Sequence, residues 1–336
     1  MSRQPVVVVT GAAAGVGRAT AHRFAEAGCA IGLLARDASA LEDVRSEVEA
    51  LGGSALCLPV DMADADAVFA AAERVERELG PIEVWVNVAM VTVFSPVVRM
   101  TPEEFRRVIE VTFLGYVHGT MAALKHMRPR DSGVIVQTGS ALAYRGIPLQ
   151  AAYCSAKHAI RGFTSSLRAE LDHEKSGVRM TIVELPAVNT PQFDWARSHM
   201  RHQPRPLAPV VQPEVAADAL FEASRRPARE YWLGRMTIMT ILGNMLLPGV
   251  MDRMMATTAF KGQQRRQLTG PDRQDNLMEP VHGGHATRGA FSREAENSAW
   301  LVEGPDARLM AAAAGGLVFA LAGAALASSL RRRRRS

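Results

Sequence analysis

Short apolar runs alternate with amphipathic stretches over roughly the first 185 residues of the chain. The apolar runs are rich in β-branched residues, as buried parallel strands are, and the stretches between them have the period of helices. The runs are Val6 to Val9, Ile31 to Leu34, Ala55 to Leu58, Val84 to Val88, Val134 to Gln137 and Met180 to Val183, and the helical stretches include Arg18 to Ala27, Ala40 to Leu51 and Ala67 to Leu79. The alternation predicts an α/β fold, a doubly wound parallel sheet with helices on both faces.

Other helices and one more strand are marked by their end residues. Thr101-Pro102-Glu103-Glu104 offers an N-cap, a proline in the first turn and a capping-box glutamate, so we expect a helix to about Met127. Pro213-Glu214 predicts a helix to about Arg225, and Glu230 to Leu233 predicts a last strand.

The pattern divides the chain into regions. Residues 1–235 are predicted to form one α/β domain. Residues 236–308 begin with an apolar run, Met236 to Met251, and become polar and Gly-rich from about 261 to 305, where we expect irregular or disordered chain. Residues 309–330 are a candidate transmembrane helix, and residues 331–336 are a basic tail.

The candidate membrane segment also changes how the charge of the chain is interpreted. Leu309 to Leu330 carries no charge and is long enough, at 1.5 Å per residue, to span a hydrocarbon core of about 30 Å. We interpret it as a membrane anchor, and an Ala-rich soluble helix is the alternative. Arg331 to Arg335 supplies as many positive charges as the formal net charge of +5, so the high pI describes a tail and argues against nucleic-acid binding.

A glycine turn follows the first predicted strand and opens a helix. In Thr10-Gly11-Ala12-Ala13-Ala14-Gly15-Val16-Gly17, the glycines permit a tight turn and a close approach of the backbone to a pyrophosphate, which the helix N-terminus attracts. A purely structural turn is the alternative, but the position at the head of several strand–helix units favours dinucleotide binding.

The spacing Thr-Gly-x-x-x-Gly-x-Gly resembles the short-chain dehydrogenase/reductase family. An arginine at the end of the second strand pairs with the 2′-phosphate of NADP, and Arg36 stands where NADP-preferring members carry a base. Ala35 stands where NAD-preferring members carry an acid, although Asp37 is adjacent. We therefore expect NADP(H). Asp61 matches the adenine-contacting aspartate of the family, with a helix N-cap as its alternative role.

The candidate catalytic residues are Ser140, Tyr153 and Lys157. Tyr153 and Lys157 are four residues apart and share one face of a predicted helix. A nearby ammonium and the nicotinamide ring lower the pKa of a tyrosine, so Tyr153 is expected to exchange a proton with substrate while hydride moves to or from the cofactor. Lys157 is also expected to hold the nicotinamide ribose, and Ser140 to hydrogen-bond the substrate oxygen.

The resemblance covers about residues 5 to 235 and includes departures. It implies a single Rossmann domain, usually oligomeric, that interconverts alcohols and carbonyls. Asn87-Val88-Ala89-Met90 keeps only Asn87 and Ala89 of a motif that supports the sheet and lines the cofactor pocket. Thr112 replaces the asparagine of the proton relay, and Leu185-Pro186 replaces a Pro-Gly pair. Thr190 matches a threonine near the carboxamide or phosphate of the cofactor.

Substrate specificity in the family comes mostly from the segment that follows the sixth strand. Here that segment is roughly Pro191 to Val211, in which Phe193 and Trp195 either contact substrate or pack the segment. The Met236 to Met251 run either lines the pocket mouth or enters a bilayer. With the C-terminal span, it suggests a lipophilic alcohol, ketone or aldehyde. The alternative function is a membrane-tethered NADP-binding scaffold or sensor with impaired catalysis.

The predicted location is a membrane surface, with the catalytic domain in the cytoplasm. The interrupted apolar run near the N-terminus does not form a signal peptide, and NADP(H) chemistry belongs to the cytoplasm. Cys29, Cys57 and Cys154 are scattered thiols that lack metal-ligand spacing, so we expect no metal site and a reducing compartment.

Overall fold

The computed structural model of the protein describes residues 4–270 and 273–306. Its strands are β1 (Val6–Thr10), β2 (Ala30–Ala35), β3 (Ser54–Pro59), β4 (Ile82–Asn87), β5 (Val93–Phe94), β6 (Gly133–Ser140), β7 (Val178–Leu185), β8 (Ala187–Val188), β9 (Arg197–Ser198), β10 (His202–Pro204), β11 (Val210–Val211), β12 (Tyr231–Leu233), β13 (Gln264–Leu268), β14 (Ala295–Glu296) and β15 (Leu301–Glu303). Its α-helices are α1 (Gly15–Glu26), α2 (Ala38–Ala50), α3 (Ala65–Glu78), α4 (Pro102–Ile109), α5 (Gly115–Met127), α6 (Ala151–His173), α7 (Gln192–Trp195), α8 (Pro213–Arg225), α9 (Arg235–Leu246), α10 (Pro248–Met254) and α11 (Phe260–Gly262).

The main sheet has eight strands in the order β15-β12-β7-β6-β4-β1-β2-β3. All neighbours pair in parallel except β12 and β15, which are antiparallel. The predicted parallel α/β sheet is therefore confirmed. The chain order of the strands reverses at β1 and β4, so their carboxyl ends flank the crevice in which ligands of such sheets bind.

The core fills both faces of the sheet because its strands are apolar on both sides. One cluster joins the sheet to α1, α2 and α8, and a second joins it to α3, α5 and α6. Every residue of β1 is buried. Each fully buried Val or Leu stabilises the fold by about 1.5–3 kcal/mol, so these runs hold the strand ends that carry the site in place.

Side-chain caps fix the starts of several helices. Asp37 and Asp64 accept hydrogen bonds from the backbone N–H groups of the first turns of α2 and α3. Thr101 and Glu104 form the predicted capping box at α4. The helix expected from Thr101 to Met127 is interrupted by a π-helical turn, residues 110–114, between α4 and α5. Thr112 lies in this turn.

The polar region expected to be irregular or disordered from 261 to 305 is in part ordered and packed on the sheet. Three short strands in it pair with earlier chain: β13 with β10, β14 with β11 and β15 with β12. Leu277 and Phe291 are buried within it. Such isolated apolar residues have no regular period, which is why the sequence pattern predicted loop.

Of the two segments expected to contact a membrane, only one lies within the described residues. Leu309 to Leu330 and the basic tail lie outside the described residues. Within residues 4–270 and 273–306, no helix has both the length and the apolar character needed to cross a bilayer. The run from Met236 to Met251 lies in α9 and α10, which are separated at Leu247.

Candidate functional site

A cavity of about 790 Å³ opens at the carboxyl edge of the sheet. Its wall is built from the glycine turn, the ends of the parallel strands, α6, the residues after β7, the Met-rich helices α9 and α10, and residues 276–285. The predicted site residues that line it are Gly11, Gly15, Val16, Gly17, Arg36, Asp61, Ser140, Tyr153, Lys157, Thr190, Phe193 and Trp195. The structure therefore brings most of the predicted cofactor and catalytic residues together around one space.

The glycine turn approaches other backbone too closely for larger residues. Gly11 and Gly15 have φ values of +69° and +56°, which favour glycine. A Cβ on Gly17 would lie 2.1 Å from the carbonyl oxygen of Gly11, inside van der Waals contact. The turn therefore presents backbone at the start of α1, where a helix N-terminus attracts a phosphate group.

Two residues predicted to bind cofactor support the site from outside the cavity. The Thr10 hydroxyl oxygen accepts hydrogen bonds from the N–H groups of Val88 (2.9 Å) and Ala89 (3.1 Å). The Asn87 amide donates to Thr120 and to Gln137, and its oxygen accepts from the Trp85 indole. Both side chains are fully buried. All these partners lie inside the protein, so in this structure the two side chains support the cavity wall, and their role as cofactor ligands stays a prediction.

The candidate catalytic residues lie on α6 and at the end of β6. Tyr153 and Lys157 lie one turn apart on α6 and both line the cavity with Ser140, the last residue of β6. The Lys157 ammonium donates to the Thr138 carbonyl oxygen (2.7 Å) and to the Tyr116 hydroxyl (3.2 Å). Its Nζ lies 5.6 Å from the centre of the Tyr153 ring. Lys157 is therefore held beneath the tyrosine by two bonds to the protein.

Burial dominates the electrostatics of this centre. It raises the pKa of Tyr153 above its usual value of about 10, and the hydrogen bond with Ser140 opposes this only in part. The predicted lowering of this pKa requires the Lys157 ammonium together with the nicotinamide ring, so it stays a prediction; in the protein itself the bonds of Lys157 go to Tyr116 and Thr138. Burial lowers the pKa of Lys157 to about 7, against the attraction of Glu184. Tyr153 thus keeps its proton at neutral pH.

Thr112 does not take part in a proton relay in this structure. Its hydroxyl donates to the Val91 carbonyl oxygen (2.9 Å) and accepts from the Val91 N–H (3.0 Å). The side chain is fully buried and does not line the cavity. Both hydrogen-bonding functions of the hydroxyl fix the loop after β4, and the catalytic role of Thr112 stays a prediction.

Arg36 and Asp61 line the adenosine side of the predicted cofactor site. Both already contact the protein. Arg36 donates to backbone carbonyl oxygens of residues 276–278. The Asp61 carboxylate forms an ion pair with Arg107 and accepts from the Ala63 N–H (3.0 Å). Asp61 is not the N-cap of α3, a role that Asp64 takes.

The predicted substrate residues divide between packing and lining. Phe193 is buried between the rings of Phe94 and Phe291, at centroid distances of 5.9 and 5.8 Å, and also reaches the cavity. Trp195 lines the cavity and its ring lies 5.3 Å from the His285 ring. Packing is observed for Phe193, and substrate contact by either aromatic stays a prediction.

Sequence reasoning missed Glu184. This residue of β7 is fully buried, and its carboxylate accepts the Ser140 N–H at 2.5 Å. A Cβ on Gly139 would lie 2.2 Å from the same oxygen, so glycine is required there to make room for the carboxylate. Burial and the charge of Glu230 raise the pKa of Glu184 to about 8. A single glutamate within an apolar strand was the only available signal.

Two observations indicate that the cavity fits a nicotinamide dinucleotide. At the glycine turn, a Cβ on Gly11 or Gly17 would collide with the backbone of Ala89 or of Gly11, so glycines are required for the backbone to turn this tightly at the start of α1, as at a pyrophosphate site. Near the catalytic end, the polar atoms Thr138 Oγ1, Thr190 Oγ1 and Gln192 Oε1 belong to cavity-lining residues, are buried and have no hydrogen-bond partner among the described residues. Buried polar atoms require partners, and a carboxamide or ribose offers both donors and acceptors.

Comparison with known proteins gives one consistent result. The family model for short chain dehydrogenases matches residues 5–201. The chain is 30% identical over 285 residues to the uncharacterized oxidoreductase YxnA of Bacillus subtilis, covering 84% of this chain and 80% of that protein. It is 36% identical over 170 residues to human dehydrogenase/reductase SDR family member 7, covering 49% of this chain and 50% of that protein. An alcohol dehydrogenase from the archaeon Thermococcus sibiricus, solved in complex with 5-hydroxy-NADP, has a TM-score of 0.59 and 26% identity, covering 68% of this chain and 96% of that chain.

Proposed function

Since the chain belongs to the short-chain dehydrogenase family of oxidoreductases, we propose that it transfers hydride between NADP(H) and an alcohol or carbonyl substrate. The observation that carries this proposal is one continuous cavity. It holds Ser140, Tyr153 and Lys157 at one end, and the glycine turn and Arg36 at the other. A scaffold that only binds the cofactor would not need the three catalytic side chains at the cavity wall.

At neutral pH we propose that the proton transfer serves carbonyl reduction. Bound NADPH would supply the hydride. Because burial raises the pKa of Tyr153, its hydroxyl stays protonated at neutral pH and can donate to the developing alkoxide. Ser140, which hydrogen-bonds Tyr153, would orient the substrate oxygen. Lys157, held by Thr138 and Tyr116, would bind the ribose and bring a proton toward the tyrosine.

The preference for NADP(H) rests on Arg36. Its guanidinium lines the cavity at the end of β2, where it can pair with a 2′-phosphate. The solved relative from T. sibiricus contains an NADP analogue, which supports the same assignment. We expect NADPH to bind at least about tenfold more tightly than NADH, equivalent to about 1.4 kcal/mol. Arg36→Leu should remove most of this difference.

The substrate end of the cavity is apolar. Its lining includes Met236, Met239, Met251, Met254 and Met255, together with Leu142, Ile147 and Leu207. Methionine side chains adapt to irregular apolar ligands. We therefore propose a lipophilic ketone or aldehyde, or the corresponding alcohol, as substrate.

The test is NADPH and NADH oxidation by the purified full chain over carbonyl compounds of increasing chain length. Turnover should require NADPH, rise with substrate length and fall by roughly 10²–10⁴-fold in Tyr153→Phe. Unchanged turnover in Tyr153→Phe would overturn the mechanism. The second candidate, a cofactor-binding protein without turnover, is favoured by the engagement of Thr112 with Val91. Tight NADPH binding with no turnover on any compound would select it.

We also propose a membrane-associated homo-oligomer with its catalytic domain in the cytoplasm. The exposed side chains Leu246, Leu247 and Val250 beside the Met-rich end of the cavity support membrane contact. Sedimentation with phospholipid vesicles and light scattering of the full chain test the two parts. A monomer that stays in the supernatant would refute both.

A further inference from the structure

Residues 276–289, here called the covering segment, run along the outside of the cavity at its adenosine end. Arg36 donates to the carbonyl oxygens of Asn276 (2.5 Å) and Met278 (2.8 Å) in this segment. The Gly15 N–H, at the start of α1, donates to the Ala286 carbonyl oxygen at 2.9 Å. The segment therefore bonds directly to two parts of the predicted dinucleotide site that lie more than 200 residues earlier in the chain.

Packing fixes the two ends of the covering segment. Leu277 is fully buried in a cluster with Val91 and Val108, next to the Arg107 side chain that also donates to its carbonyl oxygen (3.1 Å). At the other end, a Cβ on Gly289 would lie 2.4 Å from the Thr190 carbonyl oxygen. Both ends are thus seated on residues that belong to the main domain.

The middle of the covering segment faces the cavity. Pro280, Val281 and His285 line the same space as Arg36 and Asp61. The middle is otherwise held by polar contacts. The exposed His282 side chain hydrogen-bonds the buried Asp37 carboxylate at 2.8 Å, and the carbonyl oxygens of His285 and Ala286 accept from the Arg18 guanidinium (3.2 Å) and the Gly15 N–H (2.9 Å). No residue from 278 to 289 is buried, so the middle lacks a buried apolar anchor and can detach more easily than the Leu277 end.

We propose that the covering segment is part of the dinucleotide site, in which Pro280, Val281 and His285 form the outer wall of the adenosine half. The cofactor enters and leaves when the segment detaches. This inference rests on the proposed function, since it assumes that a nicotinamide dinucleotide occupies the cavity. Because Arg36 faces the cavity while it binds the segment, the residue that recognises the 2′-phosphate also holds the cover closed.

The kinetics of NADPH release test the proposal. Leu277→Ala removes the buried anchor without changing a cavity-lining residue, and Leu268→Ala on β13 is the matched control, because Leu268 is 57% exposed. In stopped-flow measurements of NADPH fluorescence on the full chain, we expect release from Leu277→Ala to be at least roughly tenfold faster than from wild type, as expected when a buried leucine is truncated. Leu268→Ala should release at the wild-type rate.

A second variant and a second readout keep the proposal testable if Leu277→Ala does not fold. His282→Ala removes an exposed anchor and should also accelerate release. Hydrogen–deuterium exchange of the backbone amides of residues 281–287, in the middle of the segment, should slow when NADPH is bound. Equal release rates in wild type and His282→Ala, or exchange that NADPH does not slow, would overturn the proposed cover. A wild-type chain that binds neither NADPH nor NADH would instead refute the proposed function.

Discussion

Replacing Glu184 by glutamine should change how the stability of the protein depends on pH. Glu184 is fully buried, one carboxylate oxygen accepts the Ser140 N–H at 2.5 Å, and the other has no partner among the described residues. Glutamine has the same shape and can accept the same hydrogen bond through its amide oxygen. The substitution therefore removes the titration of this group with little change in packing.

The magnitude follows from the raised pKa of Glu184. Burial raises this pKa from 4.5 in the unfolded chain to about 8 in the folded protein. Between these values the folded protein holds a proton that the unfolded chain has lost, so the contribution of Glu184 is fully present below pH 4.5 and is lost as pH rises to about 8. At about 1.4 kcal/mol per pKa unit, the loss approaches about 5 kcal/mol. The Glu184→Gln variant has no carboxyl group to titrate at this position, so it does not lose this stability.

Urea unfolding at about pH 5 and about pH 8.5 measures this difference. Relative to wild type, the free energy of unfolding of Glu184→Gln should rise by several kcal/mol between the lower and the higher pH. Glu49→Gln, on the exposed face of α2, is the matched control and should follow wild type at both. If the free-energy gap between Glu184→Gln and wild type were the same at both pH values, the carboxyl would not keep its proton in the folded state, and the reasoning would fail.

Three further predictions concern the turn, the tyrosine and the loop after β4. Gly17→Ala places a Cβ 2.1 Å from the Gly11 carbonyl oxygen, so NADPH affinity measured by fluorescence titration should fall by roughly 10²-fold or more; wild-type affinity would refute the pyrophosphate site at the turn. Because burial raises the pKa of Tyr153, alcohol oxidation should accelerate as pH rises from about 7 to about 10, and a flat pH–rate profile would contradict this assignment. Thr112→Val leaves the polar backbone groups of Val91 unpaired and should cost about 1–3 kcal/mol in thermal or urea unfolding, while most of the turnover remains. Lost turnover at unchanged stability would instead restore a relay role to Thr112.

The sheet could be predicted from sequence because its signal is local and repeated. A strand buried on both faces, such as β1, must be apolar throughout, and its β-branched residues distinguish it from a helix. The same holds for α8, where Pro213 and Glu214 mark the start. These elements depend on neighbours in the chain, so the chain itself carries the information.

The covering segment could not be predicted because its contacts have no sequence pattern. Arg36 and Gly15 bind carbonyl oxygens and not side chains, and every residue supplies a carbonyl oxygen. Leu277 is one apolar residue in a polar stretch, which predicts loop.

Within the candidate site, the presence of Ser140, Tyr153 and Lys157 could be predicted, but their protonation could not. Lys157 was expected to lower the pKa of Tyr153. The direction in which the Lys157 ammonium points depends on its hydrogen bonds to the Thr138 carbonyl and the Tyr116 hydroxyl. Neither contact follows from the spacing of residues in α6. The burial of Glu184 could not be predicted from the sequence either, because charged residues are almost never fully buried.

The hydrogen bond between Gly15 and Ala286 has a consequence for the order in which the protein folds. The strand pairs of the parallel sheet up to β7 join residues at most 77 positions apart, whereas Gly15 and Ala286 are 271 residues apart. Contacts of such high sequence separation form late, since a long loop must close first. During synthesis the parallel sheet is therefore expected to fold around an open crevice, and the proposed cofactor pocket gains its outer wall only when residues 276–289 have been made.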